Sequence, residues 1–381
     1  MMDRRNALRL IAAGGAVATL APGAGWSAEQ ASGPARRCVV GCARGADGRD
    51  RAVVTDIEGR VLMDIVLPDR GHGPSVSPDG RTAMVPARRP GRFAAILDLD
   101  AMRLADMLET PDGRHFMGHG VFSPDGRHWV ATENDHVRGR GMLSVWDVKS
   151  RKRVAEYETD GIGPHEILLD PGGGSVTVAN GGILTDRDDR PREKLNIPTM
   201  KPNMRRISLA DGAVMAGASL SADMHKVSLR HIDMAPDGTV LVAGQDQGPV
   251  GMDMPLLFVW PADGGALRTI ELPLTKTRAL VQYCGSVALD RTGRIGATAS
   301  PRGGVAMFVD VESGAFLGQL RAPDGCGLAR DTRVDGGFFL SSGTGRLDAV
   351  RVDAEGTLRR EAVSGPNPTT AMWDNHLGAF G

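Results

Sequence analysis

The sequence has few aromatic residues, few cysteines and almost no net charge. Aromatic side chains make up 4% of the 381 residues, and the formal net charge at pH 7 is −1. This balance gives no electrostatic support for binding to nucleic acid or to an anionic membrane surface. No apolar run of about 20 residues, the length that a membrane-spanning helix needs, follows residue 30. We therefore predict no nucleic-acid partner and no membrane span after signal removal.

Only four cysteines are present, at Cys38, Cys42, Cys284 and Cys326. Cys38 and Cys42 lie on one predicted strand, roughly 13 Å apart at ~3.3 Å per residue, which is too far for a disulfide between them. Cys284 and Cys326 each precede a glycine at equivalent positions of successive repeats, where small buried side chains are expected. The disulfide state stays open at this point.

Residues 1–30 have the composition of an export signal. Arg4 and Arg5 precede a short apolar run at 10–21 that is rich in glycine and alanine. Paired arginines before a weak apolar run are typical of a twin-arginine signal, which exports folded proteins, and a Sec-type signal is the alternative. The sequence thus predicts a periplasmic protein.

One sequence pattern recurs six times along the chain: a short apolar run, a turn of the Pro-Asp-Gly type, and a second apolar run. The recurring turns end at Gly80, Gly126, Gly172, Gly238, Gly293 and Gly336, at intervals of 43 to 66 residues. Asp-Gly turns between alternating apolar residues predict hairpins. Several short strands in each unit of about 45 residues are typical of a β-propeller blade.

The repeats predict an all-β fold, a single seven-bladed β-propeller of the WD40/YVTN type over residues 36–378. Six units of four strands are readable, at 71–109, 117–158, 163–219, 228–275, 283–320 and 325–362. The segment 36–68 offers three more strands and 366–378 offers one. Joining the two chain ends completes a seventh blade, so that the C-terminal strand closes the ring and removes exposed sheet edges. We expect a monomer.

Unusual polar residues are predicted to converge on one face of the propeller. In a four-stranded blade, the start of the inner strand and the loop after the second strand lie at the same face. The long loops 183–204 and 245–254 extend from this face and predict a partial lid, since long loops on a rigid scaffold often carry function. The candidate ligand-binding residues are Arg88, Arg89, Glu133, Asn134, Asp135, Glu166, Asn180, Arg230, Gln245 and Arg302.

Four successive repeats place a histidine near the start of the inner strand: His72, His119, His165 and His231. His115 and His376 are predicted to lie nearby. Imidazole and carboxylate groups around one axis form a ligand set for a transition metal such as iron, copper or zinc. The alternative is structural: a histidine between blades can hydrogen-bond the neighbouring backbone and hold blade to blade.

Several long motifs resemble the exported propeller family named domain of unknown function 1513. They include Gly-Arg-His-Phe-Met-Gly-His-Gly at 113–120, Gly-Ile-Gly-Pro-His-Glu at 161–166 and Ser-Pro-Arg-Gly-Gly at 300–304. The resemblance also covers 87–91, 132–135, 178–183, 194–196 and 228–231. It implies a periplasmic companion of imelysin-type proteins and dihaem oxidases, and thereby a part in bacterial iron acquisition. It implies no established reaction.

Two classes of function follow. The first is a non-catalytic binding module that uses the lidded face around the channel mouth for a metal or a partner. The second is a propeller enzyme, either a lactonase-like hydrolase or a metal- or quinone-dependent oxidoreductase, with its centre at the same mouth. Neither a nucleophile-elbow motif nor a Walker loop occurs in the sequence, and a propeller fold alone implies no catalysis.

Overall fold

The computed structural model describes residues 36–185, 193–353, 355–364 and 372–381. Within these ranges the chain forms seven four-stranded antiparallel sheets arranged as a ring, which is a seven-bladed β-propeller. The predicted fold is confirmed. The predicted export signal, part of the long loop (186–192) and the segment before the last strand (365–371) lie outside the described residues.

The strands run in chain order from blade to blade. Blade 1 contains β1 (Cys38–Arg44), β2 (Asp50–Asp56) and β3 (Val61–Val66). Blade 2 contains β4 (Ser75–Val76), β5 (Thr82–Pro86), β6 (Phe93–Asp98) and β7 (Arg103–Glu109). Blade 3 contains β8 (Arg114–Phe122), β9 (His128–Asp135), β10 (Arg140–Asp147) and β11 (Lys152–Glu158). Blade 4 contains β12 (Pro164–Leu169), β13 (Ser175–Asn180), β14 (Asn203–Ser208) and β15 (Val214–Ser219).

Blade 5 contains β16 (Val227–Met234), β17 (Val240–Asp246), β18 (Leu257–Trp260) and β19 (Arg268–Thr269). Blade 6 contains β20 (Ser286–Leu289), β21 (Ile295–Ser300), β22 (Val305–Asp310) and β23 (Phe316–Arg321). Blade 7 contains β24 (Gly325–Arg330), β25 (Gly337–Ser342), β26 (Leu347–Val352) and β27 (Leu358–Ser364), and the last strand is β28 (Met372–Phe380). One α-helix, α1 (Leu274–Ala279), and two 3₁₀ turns, at Ile197–Thr199 and Ala222–Met224, complete the described elements. No helix among the described residues is both long and apolar enough to cross a membrane.

The ring closes as predicted, because β28 pairs with β1 and becomes the innermost strand of blade 1. The pairing is antiparallel and runs from Cys38 opposite Phe380 to Arg44 opposite Met372. On its other side β28 packs against β24 of blade 7. The two ends of the chain therefore share one sheet, and the innermost strands of all seven blades surround one axial channel.

The recurring turns have the geometry that the sequence predicts. In the first of them Gly80 has a φ of 72°. The Asp79 carboxylate accepts hydrogen bonds from the Ser77 hydroxyl at 2.6 Å and from the backbone N–H of Arg81 at 3.1 Å. In the third turn Gly173, the residue after Gly172, has a φ of 70° and adopts the left-handed conformation.

The hydrophobic core lies between neighbouring blades. Inner and middle strands are almost wholly buried, whereas the outermost strand β11 alternates between exposed and half-buried residues. Phe116, Trp129 and Trp146, for example, pack with residues of blade 2. Cys38 and Cys42 both lie on β1 as predicted, and all four cysteines are buried free thiols. The packing fixes each blade against the next and so fixes what faces the channel.

Candidate metal centre

The inner strands of four blades are interrupted by bulges that carry the candidate ligands. Register shifts fall between Phe116 and Gly120 in β8, and between Pro164 and Ile167 in β12. Two further register shifts occur, one after Leu229 in β16 and one in β28, where β28 pairs with residues 41–43 of β1. A bulge leaves residues unpaired in the ladder and changes the direction of their side chains, which is common beside functional sites. The residues within or directly beside these bulges include His119, His165, Glu166, His231 and His376.

Two of these positions need an unusual backbone. His376 has a φ of 74°, in the left-handed region that costs a non-glycine residue of order 1–3 kcal/mol. Gly118, directly before His119, has a φ of 98°, and a Cβ there would lie 2.5 Å from the ring of His72. The packing of the inner strands compensates for this strain, and as a result the imidazole rings lie in the channel.

Five histidines from five consecutive blades form a closed circle in the channel. Going round the circle, successive ring centroids are 4.7 to 5.0 Å apart, and each residue is at most 6% exposed. The circle consists of His376, His72, His119, His165 and His231. Within it, two overlapping sets offer donor atoms that all lie within 4.8 Å of one another. One set is His72, His119, His165 and His376, and the other is His119, Glu166, His231 and His376.

Glu166 is the carboxylate of the cluster. Its oxygens lie 3.5 Å from Nδ1 of His119, 3.5 Å from Nδ1 of His231 and 3.7 Å from Nδ1 of His376. Its Oε2 also accepts a hydrogen bond of 2.9 Å from the backbone N–H of Ile232. This backbone contact anchors the carboxylate in the middle of the imidazole circle.

Burial keeps the histidines uncharged. It places the pKa values of His72, His119, His165 and His231 well below their usual range, and the pKa of His376 falls to about 3. The same burial raises the pKa of Glu166 well above its usual value. Neutral imidazole is the form that coordinates a metal ion. The cluster is therefore ready to accept a cation without first releasing protons from its rings.

Several ring nitrogens of the cluster have no hydrogen-bond partner among the described residues. They are both nitrogens of His72, Nε2 of His119, Nδ1 of His231 and Nε2 of His376. A buried polar atom without a partner costs about 1–3 kcal/mol, so such atoms seldom gather in one place. These rings do not hold blade to blade through those atoms. Each histidine of the two donor sets can offer one of its ring nitrogens to a shared metal position.

Two predicted site residues support the circle from outside. The Arg230 guanidinium lies 3.4 Å from Nδ1 of His165, and the Gln245 amide lies 3.4 Å from Nε2 of His231. Gln245 also donates a hydrogen bond of 3.0 Å to the backbone carbonyl of Cys284. Outer contacts of this kind fix the orientation of ligand imidazoles.

The predicted lid is partly visible at the same mouth. Lys194, from the first long loop, donates a hydrogen bond of 2.6 Å to the Gln247 side chain of the second. Arg89 donates a bond of 2.6 Å to the Thr185 hydroxyl. The pKa of Lys194 is lowered by burial and by the positive charges of Arg302, Arg230 and Arg89. Lys194 therefore lies close enough to these arginines for their positive charges to act on it.

Other predicted site residues lie outside the cluster. Glu133 accepts hydrogen bonds of 2.7 and 2.8 Å from Arg153 on β11, and burial raises its pKa. His115 stacks on His136 with ring centroids 5.7 Å apart. Asn180 bonds the Asn203 side chain at 2.8 Å.

The remaining predicted residues lie at the rim or within blade 3. The Arg302 guanidinium lies over the ring of Tyr283 at 4.3 Å, and both line a rim pocket of about 380 Å³ together with Arg88. Asp135 lies 3.5 Å from the Arg114 guanidinium, and Asn134 is buried beside it on β9. These contacts stabilise the scaffold around the circle.

The cluster fits a first-row transition metal ion. Metal–nitrogen bonds of about 2.0–2.1 Å place opposite ligands roughly 4 Å apart, so donors within 4.8 Å of one another need only a small inward movement. Neutral imidazole with one carboxylate suits zinc, copper, iron or nickel rather than calcium or magnesium. His72, His119, His165, His231, His376 and Glu166 are the residues that would hold it.

Comparisons with known proteins place the chain in a family without indicating a reaction. A search of curated protein sequences finds no match. Among solved structures, hydrazine synthase of Kuenenia stuttgartiensis is similar, with a TM-score of 0.60 and 14% sequence identity over 89% of this chain and 99% of that chain. At this identity the likeness shows the fold alone. The profile of a family described as protein of unknown function, DUF1513, matches residues 65–380, and the chain therefore belongs to that family.

Proposed function

We propose that this protein is a binding module for a divalent first-row transition metal ion, held in the axial channel by the histidine circle and Glu166. The observation that supports the proposal is the set of buried, neutral and unpartnered ring nitrogens around one centre. A purely structural circle would leave those atoms without partners. A metal ion would supply a partner to one ring nitrogen of each histidine that coordinates it.

The two donor sets also indicate which histidines contribute most to the affinity for the metal ion. His119 and His376 belong to both overlapping donor sets, so they contribute wherever the ion lies between the two. His165 belongs to the first set alone, and Arg230 competes for its Nδ1 at 3.4 Å. We therefore expect His119 to matter more for metal affinity than His165.

The test is metal stoichiometry on matched single variants. His119→Ala removes a shared ligand, whereas His115→Ala removes a histidine that is equally buried but stacks on His136 away from the circle. Inductively coupled plasma mass spectrometry of protein purified from the periplasm should find about one ion per chain in wild type and in His115→Ala. His119→Ala should have much less metal. Equal metal content in both variants, or none in wild type, would overturn the proposal.

We extend the proposal to a periplasmic role in bacterial iron or metal acquisition, beside imelysin-type or dihaem proteins. Its support is the motif resemblance and the paired arginines of the N-terminal segment. A strain that lacks the gene should accumulate less periplasmic iron under iron limitation than the parent strain. The His119→Ala gene should fail to restore the level, and the His115→Ala gene should restore it.

An enzyme with its centre at the same site is the second candidate. The observation that favours it is a cavity of about 290 Å³ that reaches His119, Glu166 and His376 and leaves one side of the cluster open. A metal ion with an open position can polarise a substrate or activate water, as in a hydrolase or an oxidoreductase. Water exchange at a bound Cu²⁺ ion, measured by pulsed electron paramagnetic resonance, would distinguish an open position from a closed one.

A further inference from the structure

The axial cavity lies beneath the histidine circle, on the side opposite the lid. Its volume is about 290 Å³, and its upper end is formed by His119, Glu166 and His376. Although Glu166 lies deep in the channel, 15% of its side chain is exposed, and this surface faces the cavity. The walls are small or apolar residues of the inner strands, among them Gly120 and Ala329.

The lower end of the cavity carries an ion pair between two blades that are not neighbours. Arg330 on β24 of blade 7 donates from Nη2 to Oδ2 of Asp233 on β16 of blade 5 at 2.9 Å, and to the Met234 carbonyl at 2.9 Å. Asp233 also accepts a bond of 2.7 Å from the Leu289 backbone N–H of blade 6. The guanidinium is thereby fixed at the channel, with 26% of its side chain exposed.

Arg330 has hydrogen-bonding capacity left over. Its Nη2 bonds the two acceptors already named, whereas its Nε and Nη1 bond no acceptor among the described residues. Asp233 lies two residues after His231 on β16, about 7 Å along the strand at ~3.3 Å per residue. The guanidinium therefore lies about that far below the imidazole circle, with the cavity between them.

We propose that the axial cavity binds a small carboxylate anion of two to four carbon atoms, with its carboxylate on the guanidinium of Arg330 and its carbon chain directed toward the metal ion. The inference rests on the proposed metal site. A cation above, a guanidinium below and apolar walls between them suit an anion of this length, because Arg presents a planar fork of donors to carboxylate. Binding of metal and carboxylate is then mutually favourable, and each raises the affinity for the other by the same factor.

The experiment uses acetate as the probe, because acetate alone binds divalent metals weakly. The protein is loaded with Co²⁺, and the relaxation rate of the acetate methyl protons is followed as sodium acetate is added, with sodium chloride at matched ionic strength as the reference. In wild type we expect saturable relaxation enhancement from acetate beside the paramagnetic ion. Arg330→Met should weaken acetate binding by about ten- to a hundredfold, the loss expected for a hydrogen bond to a charged group, at unchanged Co²⁺ content.

Arg294→Met is the matched control, because Arg294 pairs with Asp310 at 3.0 Å and does not line the cavity. It should bind acetate like wild type. Thr332→Trp, at an exposed position that lines the cavity mouth, tests the site without removing the Arg330–Asp233 pair and should abolish the acetate effect. If Arg330→Met does not fold, the result for Thr332→Trp alone decides whether the cavity binds the carboxylate.

The outcomes separate the two proposals. Wild type that binds Co²⁺ but shows no saturable acetate effect, or variants at Arg330 and Thr332 that bind acetate like wild type, would overturn the carboxylate site and leave the metal site intact. Wild type that binds no Co²⁺ would overturn both.

Discussion

The ring of His119 lies directly against Gly73 of the neighbouring blade: a Cβ on residue 73 would come within 2.5 Å of Nδ1 of His119. The Gly73 backbone N–H also donates a bond of 2.8 Å to the carbonyl of Gly118, just before His119. The absence of a side chain at one inner strand therefore positions a proposed ligand on the next.

This contact predicts that Gly73→Ala displaces His119 and weakens metal binding. We expect a loss of affinity of about 10- to 100-fold, the range typical of residues that orient metal ligands. Isothermal titration with Zn²⁺ would measure it. Gly172→Ala is the control, because a Cβ there meets no atom within 4 Å, and it should bind Zn²⁺ like wild type. Equal affinity in both variants would show that His119 can move aside at no cost.

The fold could be predicted from the sequence because its signals are local. Each Asp-Gly turn is determined by a few adjacent residues, such as Ser77 and Asp79, whose side chains bond within the turn. The three strands at the start and the one at the end indicated the ring closure for the same reason. In the third turn two glycines are adjacent, and the register of the hairpin decides that Gly173 rather than Gly172 adopts the positive φ.

The site was predicted less completely because it depends on bulges and on distant partners. His376 joins the circle through a bulge in β28 and a left-handed φ, and no local sequence pattern predicts either feature. Glu133 lies in the predicted segment, but its carboxylate bonds Arg153, two strands away in the same blade. His115 and His119 are four residues apart, and the bulge after Phe116 determines which of them lies in the circle.

Ring closure predicts that the C-terminal strand is indispensable. Deleting residues 366–381 removes β28, leaves the β1 edge unpaired and takes Trp373 and Leu377 out of a buried cluster. We expect the truncated protein to lose its cooperative thermal transition or to aggregate, since an open inner edge offers a template for pairing. A milder variant, Trp373→Ala, should remain folded and lose about 3–5 kcal/mol of stability in urea unfolding. A truncated protein that melts like wild type would refute closure by β28.

The paired arginines predict the export route. Replacing Arg4 and Arg5 with Lys should leave the precursor in the cytoplasm, because the twin-arginine machinery recognises the pair. Cell fractionation and immunoblotting would measure the distribution. Replacing Arg36 and Arg37, which lie after the signal, with Lys is the control and should leave export unchanged. Unchanged export of the first variant would indicate the Sec route.

The neutral histidines predict that the metal-free protein loses stability as the pH falls below about 6.5, the ordinary histidine pKa. Burial depresses the folded-state pKa of His72, for example, so the unfolded chain binds more protons than the folded chain below pH 6.5. The free energy of unfolding then decreases as the pH falls, by about 1.4 kcal/mol per pH unit for each such histidine. Glu166 acts in the opposite sense: its raised pKa stabilises the folded chain at low pH, and that contribution is lost as the pH rises through the folded-state pKa.

Urea unfolding of the metal-free protein between about pH 7.5 and about pH 5, a range that spans the ordinary histidine pKa of about 6.5, would measure this dependence. His72→Phe removes one depressed histidine, and its dependence on pH should be shallower than that of wild type by about one proton. The half-buried His225, whose Nδ1 contacts the Ala222 carbonyl outside the circle, provides the control variant His225→Phe, which should keep the wild-type slope. A wild-type stability that does not change across this range would mean that the circle takes up protons while folded, and the neutral, metal-ready state inferred for its rings would be wrong.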